Sequence, residues 1–463
     1  MITAAASLAL AGCSWFSKKE DDDKNSPEGR RISVLTLEEK LEADPRIADL
    51  RVEIPRAYTN LAWPQPGGSP TNVLQHVALP DELREVWSVE VGEGSDGRAR
   101  LTAVPVVADG RIFVLDTRAT VRAFDERTGA PLWEVELTPE DERAWVGFGG
   151  GVAYDEDRVF VATGFGNVHA LDAATGKEVW KRDIGVPIRI APTALKGRVY
   201  VVTTANQINA LNAADGLVLW SHQAISESAG VLSATSPAVH GDVVVAPFTS
   251  GELIAFRAQN GSQIWSDTLS RAARFTALSG LDDIAGRPVI DNDRVYAVSH
   301  SGRMVSIDMR TGERVWTQNI KSIQTPWLAG EFIFLITLDA ELLCISARDG
   351  RIRWITKMKR YRDKDDKDDP IQWAGPVLAG NRVYVVSSRG QGVAYSPYTG
   401  EEIFRFGLED DAFLPPVVAN ESLFILTDDG ELTAYRASDG KGSLRAAKKR
   451  RRDRRSGAIP DRP

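Results

Sequence analysis

The sequence predicts an all-β fold, an eight-bladed β-propeller built from four-stranded antiparallel blades. Three observations lead to this prediction. A glycine-containing turn followed by an aromatic residue recurs along the 463-residue chain. A short run of β-branched and aromatic residues precedes each turn at a nearly constant spacing, such as that from Arg111 to Gly129. The final turn lacks its aromatic residue, whereas an early strand has an aromatic residue without a turn, which indicates a ring closed by the N-terminal strand.

The recurring turn combines residues suited to a tight hairpin. Glycine adopts the left-handed conformation that such a turn needs, and a leading Asp or Asn side chain can bond the turn backbone. A period of about 40 residues with four short strands per unit is typical of a propeller. The copies are DERTGAPLW (125–133), DAATGKEVW (172–180), NAADGLVLW (212–220), RAQNGSQIW (257–265), DMRTGERVW (308–316), SARDGRIRW (346–354), SPYTGEEIF (396–404) and the incomplete RASDGKGSL (436–444).

The aromatic residues of the repeat are predicted to dock neighbouring blades onto each other. A large ring on an outer strand fills the space against the next blade, and a ligand site would not recur eight times. Strand 84–91 is predicted to complete the eighth blade, whose other strands come from residues 413–436. The predicted docking residues are Trp87, Trp133, Trp180, Trp220, Trp265, Trp316, Trp354 and Phe404.

The N-terminal segment predicts export and a lipid anchor. Residues 2–12 are uncharged and too few to span a bilayer, but they fit the apolar core of an export signal. Leu10-Ala11-Gly12-Cys13 resembles the lipobox of bacterial lipoproteins, in which the cysteine is acylated; the alternative is an ordinary signal peptide with an incidental cysteine. The predicted organisation is a lipoprotein signal (1–13), a flexible tether (14–56), the propeller (57–444) and a basic disordered tail (445–463).

Composition argues against several classes of function. A net charge of −8 disfavours nucleic acid as the main partner. Two cysteines, Cys13 and Cys344, cannot form a disulfide framework, and five scattered histidines show no metal-ligand spacing. We therefore expect no metal site.

The repeat resembles the tryptophan-docking motif of the quinoprotein propellers, most clearly in ALDAATGKEVW at 170–180. That superfamily includes quinone-dependent dehydrogenases, whose adjacent cysteine pair is missing here, and the non-enzymatic BamB lipoproteins. The lipobox, the single ring and NLAWPQPGGSPTN at 60–72 resemble the alphaproteobacterial BamB family. The resemblance implies a scaffold at the periplasmic face of the outer membrane, which binds the POTRA domains of BamA and assists β-barrel insertion. It also implies that the chain has no cofactor and no catalytic residue. A quinone-dependent oxidoreductase and a ligand-binding periplasmic propeller are the alternatives.

Connections between blades vary in length on one face of the predicted ring, where function usually concentrates. Residues 221–235 and 266–287 form two long connections that flank one blade, and residues 355–370 form a third, of mixed charge. In the BamB family the first two connections contact BamA. Carried over by that resemblance, the predicted contact residues are Val231, Leu232 and Asp283; otherwise these connections are solvated loops. To these we add Asp282, the acidic neighbour of Asp283, and Arg274, as a source of the basic charge that the family has where this chain has Leu232.

Overall fold

The computed structural model describes residues 40–226, 235–270, 283–363 and 365–437. These residues form eight four-stranded antiparallel sheets arranged as the blades of a ring, so the prediction of an eight-bladed β-propeller is confirmed. The other elements in this part of the chain are a small two-stranded hairpin and two 3-10 turns, Pro45–Ile47 and Ala144–Gly147.

Blades 1 to 4 each take four consecutive strands, from the channel outward. Their bounds are β2 Val106–Ala108, β3 Arg111–Leu115, β4 Thr120–Asp125 and β5 Pro131–Glu136; β6 Gly150–Asp155, β7 Arg158–Thr163, β8 Asn167–Asp172 and β9 Glu178–Asp183; β10 Thr193–Leu195, β11 Arg198–Val202, β12 Gln207–Asn212 and β13 Val218–Gln223; β14 Ala238–His240, β15 Val243–Pro247, β16 Glu252–Arg257 and β17 Gln263–Thr268.

Blades 5 to 7 follow the same order, and blade 8 is completed by β1 Leu83–Glu90 as its outer strand. Their bounds are β18 Val289–Asp291, β19 Arg294–Val298, β20 Met304–Asp308 and β21 Arg314–Gln318; β22 Trp327–Ala329, β23 Phe332–Ile336, β24 Glu341–Ser346 and β25 Ile352–Lys357; β28 Trp373–Ala379, β29 Arg382–Ser387, β30 Gln391–Tyr395 and β31 Glu402–Gly407; β32 Val417–Ala419, β33 Ser422–Leu426 and β34 Glu431–Ala437. The connection between blades 6 and 7 carries the extra hairpin, β26 Tyr361–Asp363 and β27 Asp368–Pro370.

Burial follows the position of each strand in its blade. Strands such as β7 and β11 are covered on both sides by neighbouring blades and are apolar along nearly their whole length. Outer strands alternate instead, and in β13 the ring of Trp220 points inward between exposed neighbours. A β-bulge accompanies each outer aromatic residue and sets it opposite a small residue of the adjoining strand, such as Ala210 opposite Trp220 and Cys344 opposite Trp354.

Each docking tryptophan packs on the turn of the following blade. A Cβ atom on Gly216, for example, would lie only 2.6 Å from the Trp180 ring, so the ring lies directly against the turn backbone. The Trp180 indole N–H also donates to the carbonyl oxygen of Ala213, at 2.9 Å. The same donation links Trp133 to Ala173, Trp220 to Ala258, Trp265 to Met309, Trp316 to Ala347 and Trp354 to Pro397.

The seam between blades 8 and 1 closes the ring differently. Strand β1 pairs with β34 from Leu83 opposite Ala437 to Glu90 opposite Glu431, which confirms closure by the N-terminal strand. The Trp87 ring packs on Gly129, but its buried indole nitrogen has no hydrogen-bond partner among the described residues. Glu126 has the place in its turn that Ala213 has in the turn that accepts from Trp180. Its carbonyl oxygen accepts a hydrogen bond from the Arg436 guanidinium instead, at 2.6 Å. Phe404 holds the docking position of blade 7. The corresponding turn of blade 8 includes residues from 438 onward, which lie outside the described residues.

In the structure, the unit that contains the propeller begins closer to the N-terminus than the sequence predicted. Residues 14–56 were expected to form a flexible tether, yet the compact unit begins at Leu41. Asp44 N donates to Ile352 O at 2.8 Å, Arg353 Nε donates to Leu50 O at 2.7 Å, and Val52 is buried. The segment from 41 to 56 therefore packs on the ring through backbone contacts that its polar composition did not predict.

Candidate functional site

The ring has two unlike faces. One face, which we call the turn face, carries the docking turns and the hairpins between the first and second strands of each blade. The opposite face, the connection face, carries the connections between blades and the hairpins between second and third strands. The docking turns are nearly uniform because each must receive a tryptophan, whereas the connections are free to vary.

The first two long connections meet at one hairpin of the connection face. Ile225 N, in the first connection, donates to Glu252 Oε2 at 2.9 Å, at the end of the β15–β16 hairpin. Leu269 N, at the start of the second connection, donates to Gly251 O at 2.8 Å in the same hairpin. The stems of both connections are therefore anchored on blade 4, which brings them together as the sequence predicted.

The structure describes one of the five predicted contact residues. Val231, Leu232, Arg274 and Asp282 lie outside the described residues. Asp283 is only 1% exposed, and its carbonyl oxygen accepts from His300 N at 2.8 Å, so its carboxylate is not available as the surface contact that was predicted.

Ile225 is a candidate contact residue that the sequence reasoning missed. Its side chain is 60% exposed beside the β15–β16 hairpin, although isoleucine is usually buried. The signal was present in the sequence as a lone apolar residue within SHQAISES at 221–228.

A single segment, residues 60–77, closes the central channel at its turn-face end, and we call it the closing segment. It runs around the inside of the ring and forms hydrogen bonds with the inner strand, or the turn after it, in all eight blades. Its partners are Val418 and Asn420 for Asn60, Val107 for Trp63, Tyr154 for Pro64, Ala194 for Gln65, Val239 for Pro70, Ile290 for Thr71, Trp327 and Gly330 for Gln75, and Leu378 and Gly380 for Val77.

Gln65 illustrates how specific these contacts are. Its side-chain amide donates to Tyr154 O at 3.1 Å and to Ala194 O at 2.9 Å, and its Oε1 accepts from Ala194 N at 3.2 Å. Gln65 is 2% exposed, so both donors and the acceptor are satisfied within the protein.

Above the closing segment lies a cavity of about 550 Å³ at the connection-face mouth of the channel. Trp63 and Trp327 form part of its lining and stack with their ring centroids 6.1 Å apart. Its walls come from the connections and hairpins of blades 5 to 8 and from residues 100–102, with Arg287, Trp373 and Phe413 among them. A cavity of this volume is in the range that holds small-molecule ligands.

Redox chemistry and metal binding would depend on cysteine, histidine and carboxylate side chains. Cys344 is buried within β24, where burial raises the pKa of its thiol and keeps it protonated. Within the described ranges, no three His, Cys, Asp or Glu side chains are grouped so that they could hold a metal ion. The same ranges contain no helix with the length and apolar character needed to cross a membrane.

Comparisons with known proteins agree on one family. The sequence model of outer membrane protein assembly factor BamB matches residues 75–138, 117–356 and 362–447. The BamB of Salmonella typhimurium is 29% identical over 353 residues, covering 75% of this chain and 88% of that protein. The crystal structure of BamB from Moraxella catarrhalis superposes with a TM-score of 0.63 at 19% identity, over 77% of this chain and 100% of that one. A europium-containing methanol dehydrogenase has a TM-score of 0.64 at 15% identity, over 81% of this chain and 98% of that one, which shows the shared fold alone.

Proposed function

This chain belongs to the family of outer membrane protein assembly factor BamB, and from that premise we propose that it assists the assembly of outer membrane proteins within the β-barrel assembly machinery. In this role the ring is a scaffold at the periplasmic face of the outer membrane and catalyses no reaction. Its partner is the row of POTRA domains of BamA.

One observation carries the proposed binding site. The described ends of connections 221–235 and 266–287, at Ile225 and Leu269, are both hydrogen-bonded to the β15–β16 hairpin on the connection face. Ile225 adds an exposed apolar side chain at this place. A few central residues dominate most protein contacts, with apolar anchors at the centre and charges at the rim.

The binding test compares two exposed apolar residues that lie just beyond the opposite ends of β13. Ile225→Glu places a charge on the connection face, and Leu217→Glu places the same charge on the turn face at a residue that is 54% exposed. We expect Ile225→Glu to reduce co-purification of BamA about tenfold or more, and Leu217→Glu to leave it unchanged. Both variants should keep the melting temperature near that of the parent, because exposed substitutions change stability by about 0.5 kcal/mol or less.

A second variant probes the segments that carry the predicted contacts. Leu232→Glu combined with Asp282→Arg should also abolish co-purification of BamA. Asp283 is left unchanged, because an arginine at this buried position would destabilise the core and obscure the result. Equal binding by the Ile225, Leu217 and double variants would place the interface elsewhere and refute the proposed site.

The proposed anchor has its own test. Cys13→Ala removes the only thiol of the lipobox, so the protein should move from the membrane fraction to the soluble periplasmic fraction. Mass spectrometry of the parent protein should find acyl chains on Cys13. An unacylated parent, together with a variant that still sediments with membranes, would contradict the anchor.

A further inference from the structure

The cavity at the mouth of the channel contains a buried cation that has no counter-ion among the described residues. Arg287 is 4% exposed and lines the cavity, and among the described residues no carboxylate forms an ion pair with it. Its Nε atom is buried without a hydrogen-bond partner there. The other two arginines of the lining differ, since Arg100 pairs with Asp428 at 3.3 Å and Arg360 pairs with Asp339 at 2.8 Å.

An unpaired buried guanidinium is costly, and native proteins rarely keep one without a reason. Burial lowers the pKa of Arg287 to about 10, so the group is still positively charged at neutral pH. Proteins satisfy such a charge with a partner of opposite sign, and a guanidinium fits a carboxylate through two parallel hydrogen bonds. A second polar atom of the lining, Thr102 Oγ1, is also buried without a partner among the described residues.

The remaining lining determines what else the ligand must carry. Trp63, Trp327, Trp373 and Phe413 present aromatic surface to the cavity. The Trp63 and Trp327 rings already stack on each other at an interplanar angle of 27°. Flat apolar groups pack well on such surfaces.

From this combination we propose that the channel mouth is a binding site for a small aromatic carboxylate, held by Arg287 through its carboxylate and by the tryptophan lining through its ring. The closing segment forms the floor of the site, so the ligand enters from the connection face. The site is separate from the proposed interface around Ile225 and does not depend on a role in outer membrane protein assembly.

The test uses the full chain and three probes, benzoate, phenylacetate and indole-3-acetate, with their uncharged amides as controls. Isothermal titration calorimetry should detect at least one carboxylate with a dissociation constant below about 1 mM, and its amide should bind at least about tenfold more weakly. Arg287→Met should weaken the carboxylate at least about tenfold. Arg100→Met, which removes an ion-paired arginine of the same cavity, should change the affinity by less than about threefold.

Thermal unfolding without ligand separates a binding role from a structural one. If Arg287 serves a ligand, Arg287→Met removes an uncompensated buried charge and the melting temperature stays the same or rises. If Arg287 holds the fold together, the melting temperature falls. Three results would overturn the proposal: no carboxylate binds below 1 mM, the amides bind as well as the acids, or Arg287→Met lowers the melting temperature and leaves affinity intact.

Discussion

Two glycines of the ring, Gly176 and Gly197, permit a direct measurement of blade docking. Their φ angles are +73° and +74°, so replacing either with alanine imposes nearly the same backbone strain, about 1 kcal/mol. Their surroundings differ. A Cβ on Gly176 would lie 2.7 Å from Cε3 of Trp133, whereas a Cβ on Gly197 would meet no atom within 4 Å.

The difference between the two alanine variants follows from this clash. Carbon atoms in contact prefer about 3.5–4.0 Å, so in Gly176→Ala the Trp133 ring must retreat by about 1 Å. Overpacking of this kind costs about 1–3 kcal/mol. The shift also strains the 3.0 Å hydrogen bond from Trp133 Nε1 to Ala173 O, which contributes about 1 kcal/mol. We therefore expect Gly176→Ala to lose about 3–5 kcal/mol of unfolding free energy and Gly197→Ala only about 1 kcal/mol.

Equilibrium unfolding in urea, followed by far-UV circular dichroism, measures both losses in the same protein. An equal loss in the two variants would show that the turn glycines are selected for backbone conformation alone, and the docking role of the tryptophans would be refuted.

Three further predictions concern the ring and its channel. A chain that begins after residue 95 lacks β1 and the closing segment, so it should aggregate in size-exclusion chromatography. Trp87→Ala in the full chain should cost about 3 kcal/mol of unfolding free energy, measured in urea. A truncated chain that stays monomeric and equally stable would contradict closure. Gln65→Ala leaves the N–H of Ala194 without its partner and should cost about 2–3 kcal/mol, measured in the same way, whereas an unchanged stability would mean that the closing segment is dispensable. Burial lowers the pKa of His169, although Glu178 acts in the opposite direction. The histidine therefore binds a proton more readily in the unfolded chain, and the free energy of unfolding should fall as pH drops below about 6.5. His169→Gln should reduce that loss between pH 7.5 and 5.5, and an equal dependence of stability on pH in the two proteins would refute the prediction.

The repeat made the fold predictable because the blades pack on one another through the same kind of contact, an aromatic ring against a glycine turn. In each complete copy an aromatic residue follows the turn glycine by four positions, as Trp180 follows Gly176, and the unpaired Trp87 was enough to predict how the ring closes. The role of Cys344 also follows from the repeat, since it occupies the position opposite an outer aromatic residue that alanine fills in blade 3.

Features that occur once could not be predicted in the same way. The closing segment bonds to eight blades through backbone groups and through side-chain amides such as that of Gln65, and its sequence contains no periodic pattern that marks these partners. Arg287 resembles any other loop arginine in the sequence, and only the fold reveals that it is buried and that no carboxylate of the described residues pairs with it. Asp283 was misjudged for the same reason, because the end of a long connection carries no signal for the residue at which it becomes buried.

The closing segment explains why function should concentrate on the connection face. Docking constrains the turn face, because each turn has to offer a glycine surface and a carbonyl oxygen to a tryptophan ring. With residues 60–77 bonded around the turn-face end of the channel, a molecule that enters the channel must come from the other side. The connections on that side are free of the docking constraint, so a protein partner and a small ligand would approach through the same face.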